Sequence, residues 1–111
     1  MRVVTDMSYR THQSSLEHRR VLKLAREYRS EGYDVTVYPQ AAELPEPLSK
    51  CPLDLIARGA DKVIAIEVRT RESLTLNGLE DLRRMAEKIK EIPGWIFELV
   101  VTNPRQSKKE N

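Results

Sequence analysis

The chain has 111 residues, 40% of them hydrophobic and 32% charged, and a net charge of +2 at pH 7, which fits one globular domain with its own core. A single cysteine, Cys51, excludes a disulfide within the chain; it favours a reducing cytoplasm and is most simply a small buried thiol. No apolar run approaches the roughly 20 residues of a membrane span, and the first residues lack an apolar secretory signal, so we expect no association with a membrane.

The first periodic segment predicts a helix from Ser14 to Glu31. Apolar residues recur there at spacings near three and four, with basic residues between them. Ser14 and Glu17 have the spacing of a capping box, and Gly32 is typical of a C-terminal stop.

Strands are predicted on both sides of a proline-rich connection. The stretch YDVTVYP (33–39) alternates and is β-branched, whereas residues 40–52 contain three of the six prolines and indicate an extended segment. LDLIA (53–57) and KVIAIEVRT (62–70) then read as two strands joined by RGAD, a turn of hairpin length. RESLTL (71–76) can continue as a further strand.

A second helix and a final strand complete the pattern. NGLE (77–80) has a capping-box spacing, and an apolar face continues to about Ile92 before a Pro-Gly stop. WIFELVVTN (95–103) is apolar on both faces, as a strand covered by helices would be. The order α-β-β-β-α-β predicts an α/β fold, a mixed sheet of four to five strands with a helix on each face.

Charged residues at the strand ends suggest a site. Alternation puts Glu67 and Arg69 on one face of their strand. Asp54 lies five residues before Gly59 and Glu67 eight after it, so modest stagger of a hairpin would bring the two carboxylates together. Converging carboxylates repel each other and need a cation, for which Mg²⁺ with its oxygen ligands is well suited.

An ion pair is the simpler alternative. Asp54 or Glu67 would then only neutralise Arg69 or Arg71 at a half-exposed end of the sheet. Geometry alone does not separate this interpretation from the metal site.

The segment PLDLIA, a turn and VIAIEVRTR resemble the PD-(D/E)xK nuclease superfamily, whose motif is an aspartate, a spacer and Glu-x-Lys. The likeness is nearest to archaeal Holliday junction resolvases and their bacterial resolvase-like relatives. It covers roughly residues 14–103: Glu17 in SLEHRRVLKLAREYRSEGYDVTVYP, a glycine-aromatic step into the first strand, and after the motif a helix beginning NGLEDLRRMAEKI and an apolar strand. The resemblance implies a restriction-endonuclease-like domain at 14–103, between an N-terminal arm (1–13) and a polar tail (104–111).

The resemblance also implies roles for individual residues. Asp54 and Glu67 would be the metal-binding carboxylates, and the backbone carbonyl of Val68 would be a further ligand of Mg²⁺ or Mn²⁺. Glu17 would be an outer carboxylate that reaches the catalytic site from the first helix, unless it serves only in the capping box. The implied activity is that of a DNA endonuclease, and the implied assembly is a homodimer.

Arg69 departs from the motif, because the superfamily has lysine at this position. Arginine grips phosphate well but stays charged at all relevant pH, whereas lysine can shift its pKa and help to deprotonate water. Three outcomes are open: Arg69 supports catalysis, a lysine from elsewhere such as Lys50 or Lys62 substitutes, or the site has lost catalysis and kept binding. The last outcome defines the alternative function, a catalytically silent module that binds nucleic acid or a protein partner.

Basic residues on the predicted helices and in the tail permit an anionic partner such as DNA. Most runs of this kind are only solvated helix faces. They are Arg19, Arg20, Lys23, Arg26, Arg29, Arg83, Arg84, Lys88, Lys90, Arg105, Lys108 and Lys109.

Overall fold

A computed structural model describes residues 15–74 and 78–102. Helix α1 spans Ser15–Ser30, and strands β1 and β2 span Asp34–Val37 and Leu55–Arg58. Strand β3 spans Val63–Arg69, helix α2 spans Gly78–Lys90, and strand β4 spans Trp95–Val101. The order α-β-β-β-α-β is therefore confirmed. The predicted arm, the polar tail, and the capping residues Ser14 and Asn77 lie outside the described residues.

The four strands form one mixed sheet in the order β1-β2-β3-β4. β1, β2 and β3 pair antiparallel, whereas β4 lies parallel to β3, with α2 as the crossover that a parallel connection needs. Gly32 ends α1 with a φ of 98°, which fits the predicted stop because glycine adopts this left-handed conformation without a steric penalty.

A helix covers each face of the sheet, as predicted. On one face Val21 and Ala25 of α1 pack with Leu55, Ile66 and other apolar residues. On the opposite face Met85 and Ile89 of α2 pack with Ile56, Ala65 and Leu53. The alternation of β2 and β3 divides their side chains between the two cores.

Two sequence-based expectations differ from the structure. Glu72–Leu74 form a 3₁₀ turn and not part of a fifth strand, and residues 75–77 lie outside the described residues. β4 is an edge strand of the described sheet, so it is covered less than its composition suggested: Ile96, Leu99 and Val101 are exposed. Position in the sheet, which composition does not encode, decides how much of a strand is buried.

Within the described ranges, neither helix has the length and apolar character needed to cross a bilayer.

Candidate acidic site at the end of the central hairpin

The β2–β3 hairpin places Asp54 directly beside Glu67. Leu55 pairs with Ile66, so the next position along brings Asp54 opposite Glu67. No stagger of the hairpin is needed to bring the two carboxylates together. The turn comprises residues 59–62, and Asp54 lies as far before Gly59 as Glu67 lies after Lys62.

Main-chain hydrogen bonds hold Asp54 in place. Its N–H donates to the carbonyl of Ile66 at 3.2 Å, and its own carbonyl accepts from the N–H of Tyr38 at 2.8 Å. The side chain is fixed as well, since Asp54 Oδ2 accepts from the N–H of Val68 at 2.8 Å. Asp54 is 2% exposed, and its orientation is set by strands on both sides.

Tyr38, which supports the backbone of Asp54, adopts an unusual conformation. Its φ is 51°, a value uncommon for residues other than glycine. The ring stacks on His18 of α1 at a centroid distance of 5.7 Å, and the Tyr38 hydroxyl lies 2.7 Å from His18 Nδ1. His18 is exposed, and the sequence did not predict its contact with the segment that leads out of β1.

Arg69 Nη1 lies among all three groups that the family resemblance implies as metal ligands. It is 2.6 Å from Glu67 Oε1 and 3.4 Å from Asp54 Oδ2. The same nitrogen donates to the carbonyl oxygen of Val68 at 3.0 Å. The predicted ion pair with Arg69 is therefore present, and it is formed by the oxygens that a metal ion would need.

Glu67 is fully buried without a directed hydrogen bond from the described residues. In the described part of the chain, the cation beside it is Arg69, whose Nη1 forms an ion pair with Glu67 Oε1 at 2.6 Å. Burial, followed by the charge of Asp54, raises the pKa of Glu67 well above its usual range, while Arg69 opposes this shift. The single charge of Arg69 therefore offsets only part of the cost of holding two carboxylates together in a buried site.

Among the described residues, Glu17 has two partners that the sequence did not suggest. Its carboxylate is 3% exposed, and Oε2 accepts from the N–H of Thr70 at 2.7 Å and from the hydroxyl of Ser73 at 3.0 Å. Glu17 thereby ties α1 to the turn that follows β3. Its role as an outer carboxylate of the catalytic site stays a prediction.

Thr70 and Ser73 were not singled out from the sequence. The two residues also bond to each other, since the N–H of Ser73 donates to Thr70 Oγ1 and the N–H of Thr70 approaches Ser73 Oγ. A Cβ atom at Gly78 would collide with the carbonyl of Ser73, so α2 begins close against this turn. The threonine–serine spacing, typical of a side-chain-capped turn, was the only available signal.

The lysines considered as substitutes lie away from Glu67 or on the surface. Lys62 is in the turn at the far end of β3, five residues from Glu67 and thus about 16 Å along the strand. Lys50 is exposed in the segment before β2. The structure therefore leaves Arg69 as the cation in contact with both carboxylates.

Cys51 lies near this acidic pair but is poorly suited to nucleophilic chemistry. Burial raises the pKa of its thiol, which Lys88 opposes and Glu67 reinforces. Since the thiolate is the reactive form, a raised pKa makes the thiol less reactive. Cys51 is a half-buried, free thiol that packs against the core on the α2 face.

The donor set fits a hard divalent cation. Two carboxylates and a backbone carbonyl converge on one cationic atom, and oxygen ligands of this kind are those that Mg²⁺ prefers. Among the residues described, no three His, Cys, Asp or Glu side chains converge as a metal site. The remaining ligands would therefore be the carbonyl of Val68, water and substrate, as is usual for Mg²⁺.

A mixed sheet between two helices, with an acidic pair at the end of its central hairpin, defines a restriction-endonuclease-like fold. A family model described as REase_AHJR-like matches residues 9–110, and the chain belongs to this restriction-endonuclease-like family. No curated protein and no solved structure matches it significantly. Membership supports a nuclease function and implies a nucleic acid as substrate.

Proposed function

We propose that this chain is a cytoplasmic, metal-dependent DNA endonuclease of the resolvase-like type, which hydrolyses phosphodiester bonds with Asp54 and Glu67 at its catalytic centre. The convergence of Asp54 Oδ2, Glu67 Oε1 and the Val68 carbonyl on one cationic atom carries the proposal. Family membership supplies the reaction class.

The same three oxygens would hold Mg²⁺ or Mn²⁺. When bound, the ion would polarise the scissile phosphate and lower the pKa of a water molecule. The N–H of Val68 keeps Asp54 Oδ2 aimed at the site, and the paired strands keep Glu67 beside it. The protein therefore contributes a preformed acidic pair whose geometry needs little rearrangement.

Arg69 is the residue best placed to contact the substrate. Its guanidinium is planar and can grip phosphate oxygens with two N–H groups, but it does not lose its proton and so cannot act as a general base. We assign it the stabilisation of negative charge on the reacting phosphate.

The exposed basic residues of α1 supply a second source of DNA affinity. Arg19, Lys23 and Arg26 are exposed on this helix, which is tied to the end of β3 through Glu17. Contacts of this kind to phosphate give affinity without reading sequence, so we expect recognition of the shape or branching of DNA.

One observation favours the alternative, a catalytically silent module that binds nucleic acid or a protein partner. Arg69 Nη1 already lies among the oxygens that the metal would need, at 2.6 Å from Glu67. A guanidinium held there permanently would block the metal position and leave a binding fold that does not cut.

We propose a homodimer on the basis of the family resemblance. The supporting observation is the exposure of Leu99 and Val101, on one face of the edge strand β4. Light scattering after size-exclusion chromatography is expected to give the mass of two chains, and the mass of one chain at all concentrations would refute the dimer.

A cleavage assay tests the proposed activity. Labelled four-way junction and linear duplex DNA would be incubated with the protein in Mg²⁺, Mn²⁺ or EDTA. We expect metal-dependent nicking that Asp54→Asn and Glu67→Gln each reduce about a thousandfold, because each removes several kcal/mol of metal-borne stabilisation of the transition state.

Matched variants control for the loss of an acidic charge. Asp61→Asn and Glu87→Gln make the same chemical changes at exposed positions, in the hairpin turn and on α2, and should cut like the parent. DNA binding without cleavage in any metal would establish the silent module. Cleavage that survives both site substitutions would place the active site elsewhere.

A further inference from the structure

The position of one side-chain nitrogen suggests how the acidic site is regulated. Arg69 Nη1 contacts a carboxylate oxygen of Glu67, a carboxylate oxygen of Asp54 and the carbonyl oxygen of Val68 at 2.6, 3.4 and 3.0 Å. These are the three groups assigned to the metal in the proposed function. A metal ion and this nitrogen cannot share that space.

The guanidinium satisfies the acidic pair only in part. Asp54 and Glu67 together carry two negative charges when ionised, whereas Arg69 supplies one positive charge. Glu67 also lacks a directed hydrogen bond from the described residues, although it is fully buried. A divalent cation at the same point would balance both carboxylates and could approach Glu67 directly.

Only the side chain of Arg69 needs to move for its guanidinium to leave the site. Its side chain is 24% exposed, whereas those of Asp54 and Glu67 are 3% and 0% exposed, so the guanidinium has a path to solvent. Its backbone is fixed: Arg69 pairs with Val101 of β4, and its carbonyl accepts from the N–H of Thr102 at 2.8 Å. The next residue, Thr70, is held by Glu17. Exchange would therefore be confined to one flexible side chain.

We propose that Arg69 is a displaceable internal cation, which occupies the metal position in the metal-free protein and competes with the divalent ion for Asp54, Glu67 and the Val68 carbonyl. This inference rests on the proposed function in that the same oxygens hold the metal. The competition weakens metal binding in the resting protein and releases a guanidinium toward the solvent-exposed side, where the phosphate backbone would lie, once the metal binds.

Metal affinity measured without any DNA tests this competition. Calorimetric titration with Mn²⁺ would compare the parent, Arg69→Gln and Arg71→Gln, the last removing an exposed arginine two residues further along. We expect Arg69→Gln to bind Mn²⁺ about tenfold more tightly or better, and Arg71→Gln to match the parent. Equal affinities for the parent and Arg69→Gln would overturn the inference.

Thermal unfolding provides a second test. Without metal, Arg69→Gln leaves the buried acidic pair with no cation in place of the guanidinium, so its melting temperature in EDTA should fall below that of Arg71→Gln. Mg²⁺ should then raise the melting temperature of Arg69→Gln more than that of the parent. A larger rise for the parent would contradict competition.

A measurement on the parent protein keeps the inference testable if Arg69→Gln does not fold. The Nε–Hε resonance of Arg69, assigned by its absence in Arg69→Lys, should move as Mg²⁺ is added, together with the carboxylate resonance of Glu67. A shift of Glu67 alone would show that metal binds beside an undisturbed guanidinium and would overturn the inference.

The outcomes separate this inference from the proposed activity. Tighter Mn²⁺ binding by Arg69→Gln without DNA cleavage by any variant would support the competition and refute the endonuclease. If the parent cleaves DNA but binds metal no more weakly than Arg69→Gln does, the endonuclease is supported and the competition is refuted. Failure of every variant to bind metal would overturn both.

Discussion

Two buried glutamates at the same end of the sheet have opposite surroundings. Glu17 accepts two hydrogen bonds, from the N–H of Thr70 and the hydroxyl of Ser73. Glu67 has no aligned donor among the described residues and instead faces Asp54 and Arg69. Burial alone therefore does not define a functional carboxylate. The donors directed at the carboxylate decide whether it ties the fold together or demands a cation.

Removing the Glu17 side chain should destabilise the protein more than any other change considered below. Glu17→Ala should lower the free energy of unfolding by about 3 kcal/mol, because two hydrogen bonds to a charged group are lost and the N–H of Thr70 keeps only Ser73 Oγ as an acceptor. Urea unfolding with EDTA present measures this, with exposed Glu27→Ala on the same helix as the control. A loss no greater than that of the control would show that Glu17 has no structural role.

Removing the charge of Glu67 should raise the free energy of unfolding, not lower it, when no metal is present and the pH is above the usual glutamate pKa. The raised pKa of Glu67 means that the folded protein binds a proton more tightly than the unfolded chain does. The associated stability is present at acid pH and is lost as pH rises through the folded-state pKa. Glutamine does not titrate. As pH rises from the unfolded-state to the folded-state pKa of Glu67, the free energy of unfolding of Glu67→Gln should therefore increase relative to that of the parent, by about 1.4 kcal/mol for each unit of pKa shift.

The measurement is urea unfolding of both proteins in EDTA at pH 5 and pH 8, with Glu87→Gln as the control. The ionisable neighbours that interact with Glu67 are the same in all three proteins. They are Asp54, Arg69 and Cys51. A stability difference between Glu67→Gln and the parent that does not grow with pH would contradict the raised pKa.

Removing one hydrogen-bond donor from Glu17 should lower the free energy of unfolding less than removing Glu17 itself. Ser73→Ala deletes the hydroxyl whose oxygen lies 3.0 Å from Glu17 Oε2 and also bonds to the main chain of Thr70, but the N–H of Thr70 keeps Glu17 as its acceptor. We expect a loss of about 1.5 kcal/mol, because the main interaction lost is one hydrogen bond to a charged group. Urea unfolding checks this value. A loss as large as that of Glu17→Ala would mean that Ser73 alone holds the turn.

Much of the fold could be predicted from local patterns. The helix expected from Ser14 to Glu31 appears as Ser15–Ser30 in the described residues, and KVIAIEVRT contains β3 at Val63–Arg69. Both signals are strong because spacing and alternation persist over many residues. The weaker signal at 71–76 left a further strand open, and Glu72–Leu74 instead turn where the side chains of Thr70 and Ser73 bond to the backbone.

The proximity of Asp54 and Glu67 could be predicted from the sequence, but the contacts around them could not. The two carboxylates were paired on the assumption of a hairpin, and the register that ends with Leu55 opposite Ile66 brings both of them to Arg69 Nη1. For Glu17 the sequence left two roles open, a helix cap and an outer catalytic carboxylate. Its observed contact with Thr70 joins residues 53 positions apart in the chain. No local pattern specifies a contact over such a distance.

The sequence by itself determined which residues form helices and strands, and that Glu67 and Arg69 share one face of β3. This follows from covalent geometry, because side chains alternate along every strand. Three features became known only from the packing of the folded chain: β4 is an edge strand of the described sheet, Glu17 secures the turn after β3, and Arg69 Nη1 contacts both Asp54 and Glu67. These depend on strand order, register and the direction of one flexible side chain, which are set by packing between distant segments.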